Sequence, residues 1–89
     1  MVSELAARLR RQQLRRDYAH VFGSEAGKRV LADLMKFCGA GRELMVPGDP
    51  HHTHYNIGRF RVAQHVAGHL MLDDRAMIER AREAQHADE

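Results

Sequence analysis

Ser24-Glu-Ala-Gly-Lys-Arg-Val-Leu-Ala-Asp-Leu-Met-Lys-Phe-Cys-Gly39 decides how the rest of the chain is read. Ser24 and Glu25 suit the start of a helix, where a side-chain oxygen accepts from an otherwise unpaired amide, and Gly39 suits its end. Between them, at 100° per residue, Val30, Leu31, Leu34, Phe37 and Cys38 gather on one side, while Arg29, Asp33 and Lys36 lie towards the other. Such a helix needs apolar neighbours to cover it, and the flanking sequence supplies helices rather than strands.

Upstream, Ser3 suits a cap and no Gly or Pro intervenes before Gly23, so a first helix is expected over about residues 4–22. Leu14, Tyr18 and Val21 share one face of it, with Phe22 at the edge, whereas Leu5 and Leu9 fall nearly opposite. One straight helix cannot bury both sets against one core. Either it breaks near Gln12 and Gln13, or its start forms an arm whose Leu5 and Leu9 dock on another subunit or protein; the arm is the preferred reading.

Downstream, Pro47-Gly48 fits the centre of a type II turn. Asp49-Pro50 reads as an N-cap followed by proline at the first helical position. A third helix is expected from Pro50 to about Leu72, with Tyr55, Val62, Val66 and Leu70 on one side and Ile57, Phe60, Ala67 and Met71 on another. Two apolar sides suit a central helix packed on both flanks. Asp73-Asp74 either caps a fourth helix or bends the third, with Met77, Ile78 and Ala81 as packing residues. No strand-like alternation of useful length occurs. The expected fold is all-α: a small three-helix core over residues 17–72, a basic N-terminal helical arm over 1–16, and an acidic C-terminal tail helix over 73–89.

Eighty-nine residues make one domain at most, and 44% hydrophobic with 29% charged residues is a globular composition. No apolar run approaches the ~18 residues that span a bilayer, and the first twenty contain no apolar block of a secretory signal. The expectation is a soluble protein that stays where it is made and has no membrane partner. The single Cys38 excludes an internal disulfide and suits a reducing interior. Residues 1–22 carry five arginines against Glu4 and Asp17, 5 − 2 = +3; residues 73–89 carry three arginines against six acids, 3 − 6 = −3. That polarity favours head-to-tail self-association or an anionic partner for the basic end.

Seven histidines raise a metal hypothesis. His65 and His69 stand four apart on a helix, the spacing that lets two imidazoles hold one zinc ion, with His51, His52, His54, Asp49 or Cys38 as further ligands. A zinc hydrolase of the His-Glu-x-x-His type would need glutamate where Val66 stands, so His65 and His69 remain weak candidates and no metal or other cofactor is assigned. Arg59 falls inside the apolar stripe of Tyr55, Val62 and Val66, where a buried guanidinium must be paired. Asp33, Asp49 and the carbonyls of the 39–48 loop are candidate acceptors, and Asp49 is preferred, pinning the loop onto the third helix; Asn56 suits similar work on loop backbone groups. Ser3 and Ser24 are better spent as caps and Cys38 as a small core hydrophobe, so enzyme activity is not expected. Arg8, Arg11 and Arg15 stack along one side of the first helix, where they would track a phosphate backbone, although aromatic stacking residues are few.

Asp17-Tyr18…Val21-Phe22, Gly27-Lys-Arg-Val-Leu-Ala-Asp-Leu34, Phe37-Cys38-Gly39, Val46-Pro-Gly-Asp-Pro50 and Asn56-x-Gly-Arg59 with Val62 and His65 stand in an order and spacing that resemble a family of small proteins from short-tailed bacteriophages, the Bordetella-phage type of podovirus domain. Members are encoded among head and packaging genes. The resemblance covers residues 17–72 and implies a non-catalytic virion or assembly component with no defined chemistry. Ile57 departs from it, standing where an acidic residue is expected. The basic start and acidic end lie outside it.

The function expected is therefore a non-catalytic phage structural or assembly module associated with head, portal or tail machinery, in the virion or the host cytoplasm. Its partners would be other phage structural proteins or further copies of itself, gripped through Leu5 and Leu9. The alternatives are a DNA-packaging accessory acting through Arg8, Arg11 and Arg15, and a structural metal protein built on histidines.

Overall fold

A computed structural model describes residues 2–87; Asp88 and Glu89 of the acidic end lie outside the described residues. The fold is all-α, with four helices: α1 (Val2–Gly23), α2 (Glu25–Phe37), α3 (Pro50–His69) and α4 (Asp74–Ala87). Among the described residues there is no strand. Helix α1 already begins at Val2, so Ser3 lies within its first turn rather than capping it, and it runs unbroken through Gln12 and Gln13.

The boundaries follow from local chemistry. Ser24 is the only residue between α1 and α2; its Oγ accepts from the Gly27 amide at 2.9 Å and donates to the Val21 carbonyl at 3.1 Å, tying the two helix ends together. Helix α2 is capped by Cys38, after which Gly39 adopts φ +87°. The Ala40 amide returns to the Met35 carbonyl at 3.0 Å and the Gly39 amide to that of Lys36 at 3.2 Å, a Schellman closure whose apolar pair, Met35 and Ala40, is buried. Val46 to Asp49 form the turn expected at Pro47-Gly48: the Asp49 amide donates to the Val46 carbonyl at 3.0 Å and Gly48 has φ +79°. Asp49 then caps α3 through the His52 amide at 3.0 Å, and Asp73 caps α4 through the Ala76 amide at 2.8 Å.

Helix α3 closes in the same way as α2, with the Leu72 amide on the Ala67 carbonyl and the Met71 amide on that of Gly68, but the left-handed position holds Met71 at φ +57°. A side chain there costs roughly 1–2 kcal/mol, and Met71, 83% exposed, recovers little of it by packing. Met71→Gly removes that strain at an entropic cost of roughly 0.5–1 kcal/mol. It is expected to stabilise the fold by about 0.5–1 kcal/mol, roughly 3–6 °C in Tm; a thermal melt with Tm unchanged or lowered contradicts the strain argument.

The core joins α2, α3 and α4. Leu31, Met35 and Cys38, with Ala40 beyond the cap, meet Ala63 and Ala67 of α3 and Met77 and Ala81 of α4, and Phe22 of α1 packs against the edge. Helix α4, expected as a tail, is thus part of the core and pairs closely with α2. The buried side of α2 centres on Leu31, Met35 and Cys38, while Val30 and Phe37, placed in the core by the sequence reading, are exposed. Helix α3 buries one narrow side instead of two, the line of Asn56, Ala63 and Ala67; Tyr55, Ile57, Val62 and Met71 remain exposed. No helix among the described residues is long and apolar enough to cross a membrane.

Candidate interaction surfaces

The radius of gyration is 15.5 Å and the extents are 50 × 32 × 17 Å. A compact chain of this length would have a radius of about 12 Å. The excess comes with α1, which at about 1.5 Å per residue is roughly 33 Å long and holds the core only through its second half. Tyr18 stacks on His69 with ring centroids 4.4 Å apart, Tyr18 and Phe22 lie 6.0 Å apart, and Phe22 reaches the core. Leu14, Asp17, Tyr18, Val21 and Phe22 line an apolar groove with Val66 of α3. Beyond Leu14 towards the N-terminus, Leu5 and Leu9 are each 55% exposed.

The arginines occupy the same projecting half. Arg8, Arg10, Arg11, Arg15 and Arg16 are all exposed, and none belongs to an ion pair among the described residues. Asp17, which follows Arg15 and Arg16 directly, accepts from the Gln13 amide group at 3.1 Å. Ion pairs elsewhere, among them Lys28–Glu25, Arg75–Glu79 and Arg80–Glu83 at 3.4–3.7 Å, are local and largely exposed, contributing little to stability.

His65 and His69 do meet, edge to face, with centroids 4.9 Å apart. His69 is engaged by Tyr18 on the core side, and no group of three His, Cys, Asp or Glu side chains stands ready for a metal among the described residues.

Arg59 is half-buried, but its partner is not Asp49. Ten residues of helix put the two about 15 Å apart along the axis, and the Asp49 carboxylate is occupied by the His52 amide. Arg59 Nη2 instead donates to Asn56 Oδ1 at 3.3 Å, while Asn56 Nδ2 donates to the Leu44 carbonyl at 3.0 Å. Asn56 therefore holds the loop, as expected, and also orients the guanidinium. Arg59 Cζ lies 5.4 Å from the Phe37 ring centroid and 5.3 Å from that of Tyr55, close enough for cation–π attraction. Its Nε is enclosed with no acceptor. Helical periodicity assigns Phe37 and Tyr55 to apolar stripes and so does not disclose this cluster; the signal for it in the sequence is Asn56 one turn before Arg59, the spacing at which helix side chains meet.

Cys38 lies behind this cluster. Burial raises its thiol pKa, opposed by the positive charge of Arg59 and by a backbone hydrogen bond at Ala63.

Comparisons with curated proteins and with solved structures found no match. Residues 18–84, from the Tyr18 anchor through most of α4, match the model of the Bbp19-like phage proteins. The match leaves out the projecting start of α1 and extends past residue 72, taking in the helix that completes the core. With well over half of its length matched, this chain belongs to the Bbp19-like phage protein family.

Proposed function

We propose that this bacteriophage protein is a non-catalytic structural or assembly module whose core presents α1 to another protein of the head, portal or tail machinery, or to another copy of itself. The observation that carries the reading is the pair Leu5 and Leu9, more than half exposed on a helix that leaves its own core behind. Apolar side chains kept in register on a projecting helix suit insertion into a partner's groove, and the adjacent arginines supply orientation and salt dependence. The protein would then reside in the virion or in the host cytoplasm during assembly.

Leu5→Asp combined with Leu9→Asp tests it. Covering each leucine is worth about 1–1.5 kcal/mol and a buried carboxylate costs more, so the double variant should lose roughly 3 kcal/mol of docking, about a hundredfold in affinity. Because both positions are exposed, its Tm should match the parent. Mass spectrometry of particles purified from phage carrying the variant should find the chain absent or strongly depleted, against a fixed copy number in the parent. Normal incorporation overturns the reading.

The arginines, exposed and without an ion pair among the described residues, favour one second reading, DNA contact during packaging through Arg8, Arg11 and Arg15. It requires log affinity for duplex DNA to fall with log salt, with each Arg→Ala reducing the slope by about 1. No binding at low salt removes it.

A further inference from the structure

We infer that the patch formed by Phe37, Arg59 and Tyr55 is a docking site for a partner-protein segment presenting a carboxylate beside an apolar side chain. The site stands apart from α1 and does not depend on the role proposed for that helix.

The charge at the centre of the patch is uncompensated. No carboxylate lies within 4 Å of the guanidinium among the described residues, and its one protein acceptor is the neutral amide of Asn56. The two acids of the neighbouring loop are turned to backbone amides, Glu43 to that of Met45 at 3.3 Å and Asp49 to that of His52 at 3.0 Å. A cation set among rings without a counter-ion gains more from an incoming carboxylate than one in open water, because the surrounding apolar surface weakens screening.

The group is also held in place. Asn56 fixes Nη2 and is itself anchored to the Leu44 carbonyl, while the two rings flank the guanidinium and Nε is enclosed. Among the described residues Nη1 has no acceptor and is not enclosed, so an N–H edge of the fork remains open to an acceptor. Such a donor loses little freedom on binding.

The setting completes the match. Phe37 is 62% and Tyr55 60% exposed, and aromatic rings with a central arginine are the residue types that dominate protein–protein contacts. An apolar residue on the partner covers the rings while the carboxylate meets Arg59. A nucleic-acid strand fits less well: it needs a row of cations along its phosphates, whereas Arg61, two residues on, lies about 200° round the helix, and both rings are engaged with Arg59.

Selection of a random heptapeptide library on the full-length protein tests the inference. Peptides enriched on the parent should carry Asp or Glu next to Leu, Phe or Tyr, and this consensus should vanish on Arg59→Met. For one selected peptide followed by fluorescence anisotropy, replacing its acid with the amide should weaken binding at least tenfold, as should Arg59→Met. Phe37→Ser should weaken it about fivefold while leaving Tm within a few degrees, since that ring is exposed, and so guards against a folding artefact at Arg59. Absence of an acidic consensus, equal enrichment on Arg59→Met, or displacement of the peptide by oligodeoxythymidylate overturns the inference. So does an Arg59-dependent dimer in sedimentation, which would make a second copy the occupant.

Discussion

Gly27→Ala should destabilise the protein by about 3 kcal/mol, lowering Tm by more than 10 °C, although alanine is the better helix former by roughly 1 kcal/mol. A Cβ at position 27 would overlap the Val21 carbonyl oxygen and stand 2.8 Å from the Phe22 Cα. Both obstacles are backbone, so no rotamer change relieves them, and the α1–α2 corner must open. That carbonyl also accepts the Ser24 hydroxyl, and the Gly27 amide donates to the same hydroxyl, so the capping contacts are strained together. Urea or thermal unfolding of the variant reads the effect. A stability equal to or above the parent's would mean the helices separate at little cost and that their close approach is not what sets the corner.

Met35→Ala is expected to cost a similar amount, about 3 kcal/mol within the 2–5 kcal/mol range for such truncations. Met35 is 0% exposed, sits where α2 meets both α3 and α4, and its carbonyl receives the Schellman bond that closes α2. Its neighbours Ala63, Ala67 and Ala81 are too short to refill the space, so a cavity persists. For a domain of this length, whose whole stability is about 4–13 kcal/mol, that loss is a large share. Met35→Leu conserves volume and should cost less than about 1.5 kcal/mol. Equilibrium urea denaturation of the pair separates the two; equal losses in both variants would show that the sulfur or the shape, rather than the filled volume, matters.

What the sequence disclosed was local. Ser24, Asp49-Pro50, Pro47-Gly48 and Gly39 each act on backbone groups within a few residues, and the structure places all of them as those types require. Packing depends on neighbours that no window contains. The apolar residues of α2 span more than one side, and its buried line is chosen by the fit of Met35 and Leu31 against α3 and α4; Phe37 and Val30 fall outside it. Helix α3 misleads further, since its buried line consists of Asn56, Ala63 and Ala67 while larger apolar groups face outward. The charge of α4 suggests a tail, although its sequence also offers Met77, Ile78 and Ala81 for packing. Arg59 stands out in the sequence but its partners do not, because cation–π contact with Phe37 joins two different helices.

The single-residue joint at Ser24 gives α1 a fixed bearing. Unlike a flexible tether, which lets a bound partner wander, a continuous rod seated on Tyr18 and Phe22 sets both the distance and the azimuth of its far end. One residue inserted ahead of Arg16 would advance Leu5 and Leu9 by about 1.5 Å and swing them about 100° about the rod axis, whereas seven would return them to within roughly 20° of their first direction. The outer segment can therefore change in length during evolution only in steps that preserve angular phase, unless whatever it meets turns with it.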